Sequence, residues 1–393
     1  MTDKTENSLN IERLPMQVGG AGAVVFALCL AVGFVDRVQF FHSYLIAYLF
    51  WLGITLGSLA VLMMQHLTGG RWALVIRRIL EAATRTLPLM AVAALPVLVG
   101  MKSLYSWARP DQDDPVILAK HFYLNPQFFV VRMVIYFAVW LTLAYFLNKW
   151  SREEDAGEAG LQLWMRLEGL SGIGLVIYGL TVTFASVDWA MSLEPRWFST
   201  IYGLLFMVGQ ALSALALAVL VLIWLSDRKP LSQIVRQSHF QDLGSFLLTF
   251  VMLWAYLEFS QWLIIWGGNL TDEIPWYLRR LEGVWGSVAL LLIILGFFLP
   301  FFLLLFRNVK RKTRSLLIVA PLILLMRLVD MYWTILPAFG GGKIHLSWMD
   351  VALPLGMGGI WLGYFLWQLQ RMPILPVHDP RMEGAAEEAI GHG

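Results

Sequence analysis

Apolar residues along this chain gather into runs of roughly twenty, the length a helix needs to cross the hydrocarbon core of a bilayer. Polar residues are confined to the breaks between the runs. Ten runs can be drawn, at 18–34, 40–64, 84–104, 127–147, 169–187, 200–225, 243–266, 284–306, 315–337 and 349–369. They predict ten transmembrane helices between polar tails at 1–17 and 370–393. Pro88 and Pro96 predict kinks in the third helix. A shorter stretch, 70–81, mixes arginines with apolar residues as an amphipathic helix lying on the membrane surface does. The expected fold class is all-α: a polytopic membrane protein with two four-helix bundles, at about 40–187 and 200–337, and further helices at their periphery. Two halves of four helices each run parallel, unlike the inverted repeats of many transporters.

One break differs from the rest. Residues 188–200 read Asp-Trp-Ala-Met-Ser-Leu-Glu-Pro-Arg-Trp-Phe-Ser-Thr, between the two bundles. A helix connection needs only a few polar residues, so one with two carboxylates and two tryptophans is expected to be folded and to touch something. Trp189, Glu194, Pro195 and Trp197 are the candidates for docking partner subunits. An aromatic belt at the membrane interface, with its charges in water, is the plainer account of the same residues.

Composition supports the membrane reading: 58% of residues are hydrophobic, mean hydropathy is +0.66, and only 14% are charged, against roughly 25% in soluble domains. Lys and Arg concentrate on one side of the predicted topology, most densely at Arg307, Lys310, Arg311, Lys312 and Arg314. By the positive-inside rule this places both termini in the cytoplasm. The 188–200 connection then lies outside, which is the periplasmic face of an inner membrane. The single cysteine, Cys29, excludes a disulfide framework, a thiolate-ligated iron–sulfur cluster and a C-x-x-C-H haem site. The first run lacks a small-x-small cleavage site and is expected to be a retained anchor.

An ionisable side chain near the bilayer centre costs roughly 2.5–3.5 kcal/mol on insertion scales, so each one calls for a partner or a purpose. Arg327 and Asp330 are three residues apart, on one face of the ninth helix. Glu258 in the seventh lies at the same depth as Asp330, about 22 Å from the cytoplasmic ends of their runs at 1.5 Å per residue. Tyr256, Ser260 and Gln261 surround it with hydrogen-bonding groups, and Asp188 and Asp350 stand at the outer ends of the fifth and tenth helices. Together, Arg327, Asp330, Glu258, Asp188 and Asp350 outline a polar half-channel for protons opening outward; a self-satisfied Arg327–Asp330 pair that only fixes helix packing is the alternative. Glu81, Arg85, Glu168 and Asp242 read as ordinary charges at membrane borders.

The histidines lie at helix ends, in loops or in the tail, which argues against a haem held between helices. His42, His121 and His345 share the outer face, where a metal or quinone site is a minor alternative to three unrelated loop residues. No H-E-x-x-H, G-x-S-x-G or phosphate-binding glycine loop occurs, and basic residues do not interleave with aromatics as in nucleic-acid binders.

The run Asp188-Trp189-x-Met191-Ser192-Leu193-Glu194-Pro195-x-Trp197-Phe198-Ser199-Thr200 resembles the F-type integral membrane subunit of bacterial alternative complex III, a quinol:electron-acceptor oxidoreductase. Three further segments agree in order and spacing: Leu67-Thr68-Gly69-Gly70-x-Trp72 with Arg77-Arg78-x-x-Glu81-Ala82; Tyr256-x-x-Phe259-Ser260-Gln261 running to Trp266 and Trp276-Tyr277; and Arg327-x-x-Asp330-x-x-Trp333. The resemblance implies a ten-helix subunit without a cofactor of its own, similar to the polysulfide-reductase membrane subunits and not catalytic alone. Its partners would be a larger quinol-binding membrane subunit and periplasmic iron–sulfur and multihaem c subunits. It implies half-channels for protons, with Arg327 and Asp330 at polar family positions, whereas Glu258 falls in a variable spacer. The competing reading is a secondary transporter, with Arg327, Asp330 and Glu258 as its intramembrane site and Gly356-Met357-Gly358-Gly359 as a broken helix. A quinone-oxidising enzyme in its own right is a third, opposed by the absence of any electron acceptor in the sequence.

Overall fold

A computed structural model describes residues 11–110, 113–157, 160–340 and 346–375. Helices make up most of these residues, with no strand among them, and ten helices are long and apolar enough to cross a membrane. In order they are α1 (Leu14–Gly33), α2 (Arg37–Thr68), α3 (Arg77–Val99), α4 (Pro126–Asp155), α5 (Leu161–Trp189), α6 (Tyr202–Leu225), α7 (Gln237–Gly268), α8 (Gly283–Leu305), α9 (Thr313–Ile335) and α10 (Trp348–Leu369).

Local chemistry sets the ends of these helices. Asp36 caps α2 through the Gln39 amide (3.2 Å), and Asn125 caps α4 through the Phe128 amide (2.8 Å) with Pro126 in the first turn. Gly69, at φ +61°, turns the chain out of α2 as only glycine does without strain. The third helix is interrupted: its segments Leu87–Val92 and Leu95–Val99 each restart with a proline in the first turn, which is where the sequence placed kinks.

Helices α2 to α5 pack as one group and α6 to α9 as another, with α2 against α6 joining them and α10 against α1 and α2. The two joining helices are the most enclosed: in the most apolar stretch of each, 83% of α2 and 78% of α6 is buried, against 17% for α1 and 28% for α8. Residues turned outward are largely apolar, such as Val24, Ile173, Ile318 and Leu355. Such a surface suits lipid, and helices satisfy their own backbone polar groups there.

Three sequence expectations are corrected. Residues 70–81 do not form a surface helix. A 3₁₀ turn at Arg71–Ala73 leads into a helix at Arg77–Thr84, every residue of which is buried as the beginning of α3. Arg77 binds Glu81 (3.0 Å) and Glu154, while Arg78 binds Glu81 (2.8 Å), Ser151 (2.7 Å) and Asp155. Glu81 is accordingly no border charge but the hub of a buried ionic network between α3 and α4. Alternation of charged and apolar residues fits a membrane surface and an internal network equally, because only the neighbour decides what the charges meet.

The glycine run at 356–359 does not break a helix. Helix α10 is continuous, and a Cβ placed on Gly359 would sit 2.6 Å from the Gly22 Cα, one on Gly363 2.6 Å from the Gly19 Cα. The glycines let the α1 and α10 backbones touch, as small residues do between membrane helices.

Candidate functional site: a carboxylate pair beside a lateral groove

Helices α6, α7 and α9 converge on the most unusual charges of the chain. Arg327 and Asp330 share one face of α9, with Arg327 Nη1 3.0 Å from Asp330 Oδ2. The contact is close enough for an ion pair but off the line of a hydrogen bond, and Asp330 Oδ1 is buried without a partner. The guanidinium reaches across to α6, where a Cβ on Gly209 would lie 2.1 Å from Nη2, and its carbon stands 5.3 Å from the Trp254 ring. Glu258 of α7 makes no hydrogen bond or ion pair among the described residues, yet it lines the same two cavities as Asp330. The structure therefore brings Arg327, Asp330 and Glu258 together.

The first cavity, of about 10 Å³, lies behind the carboxylates among Tyr202, Gln261, Trp276, Arg327 and Thr334. That is near the minimum for one water molecule. The second, of about 610 Å³, opens sideways between α7, α8, α9 and the short helix Ile274–Leu281. Its walls are apolar and heavily aromatic, and part of its α8 side is a π-helical turn, Leu292–Phe298.

From the carboxylates a polar string runs to the 188–200 connection. Ser199 Oγ donates to Gln261 Oε1 (2.9 Å), and Gln261 Nε2 lies 3.4 Å from the Tyr277 hydroxyl. The Thr334 carbonyl accepts from Arg280 Nη2 (2.6 Å), which also binds Glu194 Oε1 (2.7 Å). Arg279 pairs with the other Glu194 oxygen. Burial pulls the Arg280 pKa down, and the Glu194 carboxylate opposes that pull.

The remaining two acids belong elsewhere. Asp188 is gripped by Arg132 of α4 through both oxygens (2.8 Å each) and accepts from the Tyr136 hydroxyl (2.7 Å). Arg132 is itself sandwiched by Tyr123 and Phe128, 3.9 and 4.5 Å from their ring centres. Asp350 closes a capping box on α10, accepting from the Ser347 amide (2.8 Å), Ser43 (2.6 Å) and Gln39 (3.1 Å). No hydrogen bond, ion pair or cavity among the described residues links Asp188 or Asp350 to Asp330. The string from Asp330 reaches the same connection six residues downstream of Asp188, at Glu194.

The docking candidates turn inward. Trp189 packs among Tyr48, Tyr136, Phe137 and Trp140. Trp197 stacks on Trp276 at 4.4 Å and 12°. Glu194 is held as described, and the Pro195 carbonyl accepts from Lys120 (2.6 Å). What the connection presents outward is Arg196, bound to Asp114 (2.9 Å), Phe198 and Thr200. Of the outer histidines, His42 stacks on Phe339, and His345 lies outside the described residues.

Sequence reasoning missed Arg132, Arg280, Gly209 and the groove. Arg132 carried a signal, as an arginine inside an apolar run with an acid at the outer end of the next. Arg280, one of two adjacent arginines in a loop, and Gly209 carried none. The chain matches no protein-family model, and no curated protein sequence matches it.

Proposed function

We propose that this chain is a cofactor-free integral membrane subunit of a respiratory quinol:electron-acceptor oxidoreductase of the alternative complex III type, and that Glu258, Asp330 and Arg327 carry protons within it. In this reading it resides in a bacterial inner membrane with both termini cytoplasmic, beside a quinol-binding membrane subunit and below periplasmic iron–sulfur and multihaem c subunits. The sequence resemblance supports the assignment to the complex. One observation carries the proton role: Glu258, which makes no hydrogen bond or ion pair among the described residues, lies beside an Arg327–Asp330 pair that is only half engaged.

A proton carrier must exchange partners, and saturated groups do so poorly. Asp188, with three donors, and Asp350, with three, are saturated. Glu258 and Asp330 are not. One guanidinium facing two carboxyl groups is neutral when the pair holds a single proton, so the resting trio carries no net buried charge and either carboxyl group can hold that proton. The water-sized cavity supplies a bridging place between Glu258, Asp330 and Gln261. Beyond it, Ser199, Tyr277 and Glu194 provide exchangeable groups toward the 188–200 face. Arg196, Phe198 and Thr200 form the part of that face available to partner subunits.

The test is Asp330→Asn in the native complex, reconstituted in vesicles with quinol and an external electron acceptor. Asparagine keeps the shape and a contact with Arg327 but takes no proton. Quinol oxidation is expected to persist while the ratio of protons moved to electrons transferred falls. An unchanged ratio removes Asp330 from proton transfer.

A further inference from the structure

The lateral groove has features that proton transfer does not require. About 610 Å³ lies within the range of small-molecule sites, roughly 300–1,000 Å³. Trp254, Phe259, Trp262, Phe297 and Trp333 supply flat walls. Its outer lip carries Tyr256, Phe259, Ile293 and Phe298, all substantially exposed on the apolar outer surface of α7 and α8. At the floor are two carboxylates. Asp330 is only 3% exposed, and among the described residues its Oδ1 has no hydrogen-bond partner and Glu258 has no hydrogen bond or ion pair. The π-helical turn Leu292–Phe298 forms one wall; such turns cost helix hydrogen-bond geometry and concentrate at functional sites.

Each feature narrows the occupant. A lip in the apolar surface admits a molecule dissolved in the membrane rather than one arriving from water. Aromatic walls favour a planar ring by offset or edge-to-face contact over a flexible acyl chain. The carboxyl oxygens at the floor offer acceptors to a ligand's hydrogen-bond donors, beside the Tyr277 hydroxyl and the Trp254 Nε1–H, and Arg327 lies behind Asp330 rather than in the groove, so no cationic side chain of the lining meets a phosphate or carboxylate. We propose that the groove binds a membrane-soluble amphiphile with a planar hydroxylated ring, a phenol or hydroquinone, whose hydroxyl groups donate to Glu258 and Asp330 while its tail leaves along α7 and α8. Binding alone is claimed, with no electron transfer in this chain. The site does not depend on the assignment to a redox complex, because it is read on the isolated chain without turnover.

The experiment is equilibrium binding of a tritiated decyl-benzohydroquinone, kept reduced under argon, to the purified full chain in phosphatidylcholine nanodiscs. One saturable site per chain is expected. The O,O-dimethyl ether of the same compound has the ring and tail but no donors, and should compete at least tenfold more weakly, since a buried acceptor left unmatched costs about 1–3 kcal/mol and 1.4 kcal/mol is tenfold. Glu258→Leu should weaken binding at least tenfold. Ala289→Phe fills the groove and leaves both carboxylates in place, and should abolish binding in a protein that stays monodisperse. Absence of saturable binding, equal competition by the dimethyl ether, or full retention in Ala289→Phe overturns the proposal. Equal competition would identify the groove as a seat for lipid tails. If Glu258→Leu does not fold, the ether and Ala289→Phe decide.

Discussion

Replacing Glu194 with alanine should loosen the whole molecule rather than one surface loop. Glu194 holds Arg280, whose side chain is 1% exposed, through Nη2 at 2.7 Å, and pairs with Arg279 through its other oxygen. Arg280 stacks 3.7 Å from the Trp276 ring centre, its Nη1 donates to the Trp276 carbonyl (3.0 Å), and Nη2 also reaches the Thr334 carbonyl (2.6 Å). One carboxylate thus ties the connection between the two helix groups to the Ile274–Leu281 helix and to α9. Without it, a buried guanidinium loses its counter-charge but keeps two carbonyls, and removing one partner of a buried pair costs about 3–5 kcal/mol. At roughly 2 °C per kcal/mol for a larger chain, the apparent melting temperature should fall by about 6–10 °C. The assay is tryptophan fluorescence of the detergent-solubilised protein on heating, with all variants at one scan rate because unfolding of such proteins is often irreversible. Arg196→Ala is the control. It lies two residues away with its side chain 67% exposed, and its ion pair with Asp114 should contribute at most about 1 kcal/mol. The double variant Glu194→Leu with Arg280→Leu removes both charges and should recover part of the loss. If Glu194→Ala melts with Arg196→Ala, the inward-facing account is wrong and Glu194 is a surface residue.

Three further outcomes follow from close contacts. Gly209→Ala would bring a methyl group 2.1 Å from Arg327 Nη2 and must displace the guanidinium; proton coupling in the vesicle assay should fall as it does for Asp330→Asn, with quinol oxidation preserved. Arg132→Leu strips Asp188 of its two-point partner and should destabilise the isolated chain by about 3–5 kcal/mol, measured as a drop in melting temperature like that of Glu194→Ala. Gly359→Leu cannot keep α1 against α10, where the backbones touch; protease sensitivity of the α1–α2 connection should rise while the core, measured by tryptophan emission, stays folded.

How much was legible beforehand differs between residues that look alike in sequence. Arg327 and Asp330 were readable as a pair because three residues along a helix is a fixed geometry. Glu258 joined them through equal depth, which let the two acids meet across helices but did not require it. Asp188 and Asp350, placed on the same route by the same reasoning about depth, belong to other networks, because depth says nothing about which helix is adjacent or which face it turns. The inward orientation of Trp189, Glu194 and Trp197 was equally hidden: amphipathic residues at a helix connection suit an interface, a lipid boundary and a buried joint alike.

The sequence by itself determined the ten helices and the weight of the 188–200 connection. Each apolar run specifies its own helix, since the cost of leaving backbone polar groups unsatisfied in hydrocarbon depends on that run alone. The tertiary structure decided which charges answer one another: Arg132 with Asp188, Arg280 with Glu194, Arg77 and Arg78 with Glu81, Glu154 and Asp155, and Glu258 set in one cavity with Asp330 and Arg327. These pairings join residues far apart in the chain, and their energies depend on the rotation and approach of packed helices. Hydrophobic pattern fixes a helix's solvent, whereas packing fixes its neighbours, and the groove over the Glu258–Asp330 pair exists only in the second.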